Sequence, residues 1–563
     1  MLEPREIPSL TSPLRQSHDM MACARKQVPP TSLESACIIA GLFLVQSYYW
    51  LMDDAFVYFR YVDNLLFLNF GLVNNQGEYV EGFSSPAWVL VLIALRSLEL
   101  EYPTIIRLLA FGCHLGWAFG IVRLNRHYSG DRRVFDLPLV YLTGCYGVVT
   151  YFSSGLETPL VLLSGVVVAA YITAPQQRRW QLLISLTPLV RQEFLLAWLV
   201  AVLWGSLVTR RIPWLALFAL FAAVGGWFVF RVYYYADLLP NTFYLKDAVN
   251  FRQGLLYLHE SLYVYYVYPV GAVLLGLAVT LIWRRQPGLC VAPRIVMLLA
   301  ALVVTAYAVK VGGDARHFRF LAFPMCLAAC SASGLVEIAW ARWGRPRFTP
   351  AVIAAMVVLF VVVHLRYPPQ LARHPLYFRT PSGLVNGIAD AHYHRTLSAL
   401  QYPSWSEKAN IDRMRSFRAS SPDGHYAGFR NSGWCYDAYE NFDYYNIHSW
   451  GLTCAVLART DMPIERVAHR PGLRRLSRDL LTVIGAAGSP GPGMYRTAVE
   501  KGVAPPWIIE NLPALERIER QIYNRKHFRE NLSLALSPTP WIHVRRLSTK
   551  PVESSKKQWD NDR

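Results

Sequence analysis

Charge is scarce in this chain: Asp, Glu, Lys and Arg make up 17% of its 563 residues, where a soluble domain carries about 25%. The shortage excludes an ordinary water-facing surface over most of the length. There is no CxxC pair, HExxH helix or Walker loop, so nothing in the sequence signals structural zinc, zincin chemistry or nucleotide hydrolysis. No internal repeat and no signal-peptide cleavage site is evident, and the polar stretch before Ala36 argues for a retained first span. What is present is apolar: 53% of residues are hydrophobic, 17 are tryptophan, and the mean hydropathy is +0.23. One soluble core does not need so much apolar surface. The composition therefore predicts a polytopic α-helical membrane protein. The net charge of +18 is no sign of nucleic acid, because the Lys and Arg residues stand in short groups between apolar runs, the pattern that orients membrane proteins.

A helical span needs about 20 apolar residues. Eleven stretches qualify or approach this: 36–52, 105–124, 137–152, 159–172, 180–190, 194–208, 214–233, 263–283, 295–309, 320–339 and 351–365. The piece 180–190 is too short to span unaided and is counted because basic loops flank the crossing pair it completes. A twelfth apolar stretch, Ser85 to Leu98, is resolved by the positive-inside rule. With the N-terminus (Arg5, Arg15, Arg25, Lys26) in the cytoplasm and Ser85–Leu98 lying along the membrane surface, the groups around Arg123, Arg178, Arg210, Arg284 and Arg342 all face the cytoplasm. Counting that stretch as a span reverses every one of them. Its interior Arg96 and flanking Glu99 and Glu101 also suit a juxtamembrane helix.

The expected organisation is a cytoplasmic tail (1–35), a transmembrane domain (36–366, with its first outer loop at 53–104), a soluble extracytoplasmic domain (367–548) and a disordered basic tail (549–563). Short mixed apolar runs such as 454–458 and 507–509 give the soluble domain an α/β character. Cys435 and Cys454 lie there, and either a disulfide or two free thiols fits that compartment. The remaining cysteines are mostly in spans, where the residue acts as a small hydrophobe.

Six polar clusters interrupt the apolar chain: Met52-Asp53-Asp54, Val80-Glu81-Gly82, Gly155-Leu156-Glu157-Thr158-Pro159, Arg191-Gln192-Glu193, Leu239-Pro240-Asn241-Thr242 and Gly312-Gly313-Asp314. The topology, built without them, puts all six on the extracytoplasmic side, where they are expected to form a single site. ATP and nucleotide sugars are absent there, and a lipid-linked sugar is the natural donor. A polyprenyl phosphate leaves without a proton, so one carboxylate base for the acceptor hydroxyl and cations for the phosphate suffice.

The run from Asp53 through Arg60 to Tyr61, then Gly71-Leu72-Val73-Asn74-Asn75, then Val80 through Trp88, resembles the first outer loop of the GT-C glycosyltransferases, and within them the bacterial cell-wall terminal β-arabinofuranosyltransferases. Gly155–Leu160, Leu238–Tyr244 with Lys246, and Val311–Asp314 with Arg319-Phe320 continue the likeness in order from Ala36 to Leu365. The chain departs from the pattern at Arg191-Gln192-Glu193-Phe194, where an Arg-Pro-Glu-Gly-like turn is expected. It departs again at 447–454, which lacks aspartates near a Gly-Leu pair.

The resemblance implies a GT-C membrane enzyme of the bacterial inner membrane that uses a polyprenyl-phosphate-linked sugar, arabinofuranose, and a glycan acceptor. It implies Asp53 as catalytic base with Asp54 orienting the acceptor; a helix cap is the plain alternative. Arg60 either faces the donor phosphate or snorkels to headgroups. Glu81, Glu157, Glu193 and Asp314 either bind sugar hydroxyls or pair with Arg191, Lys246 and Arg319. Asn241 either binds substrate or makes a turn after Pro240. No cofactor is required, although the Asp pair can hold Mg²⁺ or Mn²⁺ through oxygen ligands. With one base and no nucleophilic carboxylate, direct displacement with inversion is expected. The alternatives are a GT-C transferase of mannose or aminoarabinose, a transporter, for which charges at mid-membrane and repeated halves are expected, and a non-catalytic envelope protein.

Overall fold

In a computed structural model the described residues are 31–129, 136–246, 249–264, 267–283, 290–314, 316, 318–343, 407–421, 426–432, 435–448, 452–461, 473–523 and 528–544. The expected eleventh span (351–365), the boundary near 367 and the basic tail lie outside them. The chain divides into two compact units. One comprises Met1–Leu51, Pro103–Ala223 and Phe251–Gln401, the other Met52–Tyr102, Val224–Asn250 and Tyr402–Arg563. The division is not the linear one expected at 366/367: the first outer loop belongs to the same unit as the C-terminal region.

In the first unit, apolar runs fold as helices whose lipid-compatible faces stay uncovered, with Phe43, Leu207, Phe218, Phe221, Leu275 and Trp283 all exposed. A soluble protein does not display such surface. Among the described residues, four helices are long and apolar enough to cross a membrane: Tyr102–Ser129, Trp214–Tyr235, Val291–Lys310 and Arg319–Ala339. Shorter apolar helices include Ser32–Ser47, Thr158–Thr173 and Phe194–Thr209. Thr31 and Glu34 form a capping box at the start of the Ser32–Ser47 helix, satisfying two backbone amides reciprocally. Three expected spans are interrupted, 320–339 at the turn 332–334 between the helices Ala322–Ser331 and Leu335–Trp343. The stretch 137–152 breaks at Cys145, whose backbone is extended, into Leu137–Gly144 and Tyr146–Phe152. The stretch 180–190 is two short helices, Arg178–Ile184 and Thr187–Val190, with Pro188 opening the second.

The second unit is assembled from three separated segments. Its core joins Leu457, Leu473, Leu476, Val483, Ile508, Leu515, Ile518 and Ile542 to Val80 of the outer loop and to Tyr244 and Leu245. It is mostly helical. Strands β1 (Gly428–Ser432) and β2 (Tyr444–His448) pair in parallel with Gly428 opposite Tyr444, and β3 (Thr460–Asp461) pairs in parallel with β4 (Ile542–His543). Parallel pairing over so few residues explains why the sequence shows only a faint α/β signature. The helix expected at Ser85–Leu98 forms as Pro86–Arg96, started by Ser85 accepting from the Trp88 amide. Its Arg96 is fully buried and paired with Asp63.

Candidate functional site

The turn Met52-Asp53-Asp54 leads into the helix Ala55–Leu66, with the Ala55 amide donating to Met52 O (2.9 Å) and the Phe56 amide to Asp53 O (3.0 Å). Asp54 stands at the cap position, but its side chain does not cap that helix. The Asp53 carboxylate instead receives a different helix, Cys435–Glu440: Oδ2 accepts from the Cys435 amide and Oδ1 from the Tyr436 amide, each at 3.1 Å. The Cys435 thiol also reaches this carboxyl, and its Sγ lies 3.2 Å from His448 Nε2. Burial, then the neighbouring Asp54 charge, pushes the Asp53 carboxyl above its ordinary value, against the opposing pull of those hydrogen bonds. Ligand atoms of Asp53, Asp54 and Cys435 lie within 4.8 Å of one another, so these three residues could hold a divalent cation. Cys435 and Cys454 are free thiols, which resolves the disulfide alternative.

Two buried charges hold the Cys435–Glu440 helix against the outer loop. Arg60 donates to Ala438 O, to Asn74 O (2.8 Å), to Tyr444 O and Asn75 Oδ1 (both 3.4 Å). It is 2% exposed. A guanidinium occupied by four protein acceptors corrects the expectation that Arg60 faces a phosphate or lipid headgroups. Asp63, which sequence reasoning passed over, accepts from Arg96 (Nε 2.9 Å, Nη2 3.3 Å), Tyr102 (2.9 Å) and Tyr439 (2.8 Å). Its one sequence signal is an arginine, Arg96, inside an apolar helix, since a buried charge requires a partner.

Elsewhere in the same unit, Glu81 pairs with Arg231 and accepts from Trp227 Nε1 at 3.2 Å. Burial raises the Glu81 carboxyl, with Arg231 opposing. Arg231 was not among the partners expected for Glu81, although a charge inside the apolar run 214–233 is a recognisable signal. Asn241 donates through Nδ2 to Leu452 O (2.9 Å), and its amide donates to Glu81 O (2.9 Å). Glu81, Asp237, Asn241 and Arg459 line a cleft together with Tyr79, Tyr235 and Gln521. Lys246 ends the helix Asn241–Lys246 and is half-buried.

The remaining expected residues gather in the first unit. Glu157 Oε1 accepts from Arg191 Nη1 (2.8 Å) and Arg319 Nη2 (3.4 Å). Arg191 Nε also donates to Glu193 (2.7 Å), and Arg319 Nη1 to Asp314 (3.3 Å). Arg316, 3.6 Å from Asp314, is a further cation that the sequence reading omitted. Burial alone would raise the Glu157 carboxyl, but Arg319 and Arg191 outweigh it and hold it below the usual range. Gly312 (φ 84°) and Gly313 (φ 75°) make the turn that presents Asp314. A Cβ on Gly313 would meet the Tyr257 ring at 2.3 Å, so only glycine fits. Of the two readings for these acidic groups, the ion pairs are present. The six clusters therefore divide three and three between the units: those at Asp53, Glu81 and Asn241 lie in one, those at Glu157, Arg191 and Asp314 in the other.

No family model matches the chain, and no solved structure is significantly similar to it. Two curated proteins are. The terminal β-(1→2)-arabinofuranosyltransferase of Mycobacterium tuberculosis is 30% identical over 328 residues, covering 50% of this chain and 52% of that protein. The protein of the same name from Corynebacterium glutamicum is 26% identical over 350 residues, covering 52% and 49%. The chain thus spans about half the length of the curated relatives it matches. Over that half, it resembles the terminal β-(1→2)-arabinofuranosyltransferases.

Proposed function

We propose that this protein is a GT-C membrane glycosyltransferase that moves arabinofuranose from a polyprenyl-phosphate donor to a cell-envelope glycan on the extracytoplasmic face, with inversion. The observation that carries this reading is the half-buried Asp53 carboxylate. It is fixed through both oxygens by backbone amides and made more basic by burial and by Asp54. A general base works best when its proton affinity approaches the working pH, and Asp53 is shifted in that direction. The similarity to two arabinofuranosyltransferases supports the substrate class.

In this mechanism the acceptor hydroxyl attacks the anomeric carbon as the bond to the phosphate oxygen breaks. The hydroxyl proton passes to Asp53, and the polyprenyl phosphate leaves as an anion that needs no general acid. Positive charge develops on the ring carbon and oxygen. Asp54 orients the acceptor. Glu81, Asn241 and Lys246 are proposed to bind or organise substrate. Separately, Glu157, Glu193 and Asp314 are proposed to organise Arg191 and Arg319, whose guanidinium groups favour phosphate oxygens. This displacement requires no cofactor. The membrane supplies the donor, whose prenyl chain dissolves in it.

The test is transfer of labelled sugar from polyprenyl-phosphate arabinofuranose to an arabinan acceptor by the purified full chain, beside a folded Asp53→Asn variant. The expected result is turnover by the wild type and its loss in the variant. Absence of turnover with any polyprenyl-phosphate sugar, or an Asp53→Asn variant as fast as wild type, overturns the reading.

A further inference from the structure

Taken alone, the C-terminal region reads as an accessory module for binding glycan. Its contacts with the outer loop argue otherwise. Asp53 is separated by 382 positions from Cys435, yet both oxygens of its carboxylate are held by amides of the Cys435–Glu440 helix. That helix is fixed at three further points. Arg60 takes the Ala438 carbonyl, and the Tyr439 hydroxyl donates to Asp63 at 2.8 Å. The Phe56 ring meets Tyr436 edge-on at 5.0 Å between centroids. Arg60, Asp63 and Tyr439 are all buried, at 2%, 0% and 0% exposure.

We propose that the Cys435–Glu440 helix is the positioning device for the base: it fixes the direction of the Asp53 carboxylate through the Cys435 and Tyr436 amides, with the Cys435 thiol, itself against His448, as a third contact. This rests on Asp53 being the base.

The physical argument is one of geometry. A carboxylate on a single χ1/χ2 pair swings freely unless both oxygens are engaged, and a displacement of about 1 Å at a reacting group can lower a rate about a hundredfold. Two amides, each 3.1 Å from a different oxygen, fix the plane of the carboxylate and so the direction it presents to the acceptor hydroxyl. Arg60 and Tyr439 act one step back, by holding the helix that carries the amides. The C-terminal region is thereby part of the catalytic centre.

The test separates an amide from a side chain. Cys435 opens its helix, and proline is tolerated at a first helical position because the amide there makes no bond within the helix. Cys435→Pro removes the amide donor and the thiol, whereas Cys435→Ala removes only the thiol. In the full-length enzyme, Cys435→Pro should lower kcat about tenfold or more relative to Cys435→Ala, with KM for the polyprenyl-phosphate donor the same in both. Equal kcat values for the two folded variants overturn the inference. Should Cys435→Pro not fold, Tyr439→Phe, which removes only the hydroxyl bound to Asp63, must lower kcat severalfold at constant donor KM, and a folded Tyr439→Phe enzyme with wild-type kcat overturns the inference equally. Asp53→Asn, run beside them, tells the two readings apart. If it is inactive while the helix variants behave as wild type, the base stands and the positioning device falls. If it retains activity, the base itself falls and the inference with it.

Discussion

Asp53 and Glu157 are both buried or half-buried carboxylates in clusters that the sequence singles out, yet their surroundings push them in opposite directions. Glu157 lies between Arg191 and Arg319 and is held below the ordinary carboxylate range. At Asp53, burial and the Asp54 charge raise the carboxyl against the hydrogen bonds from Cys435 and Tyr436. The first is built to stay charged and anchor guanidinium groups. The second can gain a proton and return it. Sequence position at the edge of an apolar helix is the same for both, so the chemical distinction comes from the partners that folding supplies.

The sharpest break of this comparison is chemical. Asp53→Asn should lower transfer by about 10²–10⁴-fold, the range usual for loss of a general base, measured as turnover at saturating donor. Glu157→Gln should change turnover much less than Asp53→Asn does, since no proton moves through it. A loss at Glu157→Gln as large as at Asp53→Asn would erase the difference.

Next in size is stability. Asp63→Ala leaves buried Arg96 without its carboxylate and Tyr102 and Tyr439 without their acceptor, so it should cost about 5 kcal/mol, the upper end for breaking a buried pair. Glu157→Gln should cost about 3 kcal/mol or less, because Arg191 keeps Glu193 and Arg319 keeps Asp314. Thermal unfolding in one detergent measures both, and the order Asp63 above Glu157 is the result to check. The Glu157 contribution has a defined pH window. A carboxyl depressed by folding adds stability that is fully present above its unfolded value of about 4.3 and is lost as pH falls through the lower folded value. The deficit of Glu157→Gln relative to wild type should therefore persist at neutral pH and shrink in strong acid.

Much of this was legible beforehand. The Asp53-Asp54 and Gly312-Gly313-Asp314 clusters stand out because polar groups at the ends of apolar runs are conspicuous, and Pro86–Arg96 because the distribution of basic loops and the charges Arg96, Glu99 and Glu101 single out its apolar run. The partners were not legible. Asp53 meets Cys435 across 382 positions, and Tyr439 meets Asp63 across 376, and no local period encodes such pairs. Arg60 was misread for a related reason. A charge in an apolar helix near a membrane edge suggests phosphate or headgroups, but here the helix packs under a later segment whose carbonyls take its donors. The two-unit partition was hidden likewise, since the outer loop contributes Val80 to a core otherwise built from distant chain.

The smallest and most specific effect concerns the pair itself. Asp54 adds a like charge that raises the Asp53 carboxyl, second only to burial. For a base that must be ionised, activity climbs with pH through its pKa, so a raised value delays the climb. Replacing Asp54 by Asn removes the repulsion, lowers the Asp53 pKa and should move the acid limb of kcat/KM to lower pH, whatever happens to its plateau. The Cys435 and Tyr436 amides pull the same way in both proteins and so do not account for the shift. Glu157→Gln, in the other unit, should leave that limb in place. A limb that moves to higher pH in Asp54→Asn, or follows Glu157→Gln instead, would show that the carboxylate being titrated is not the one beside Asp54.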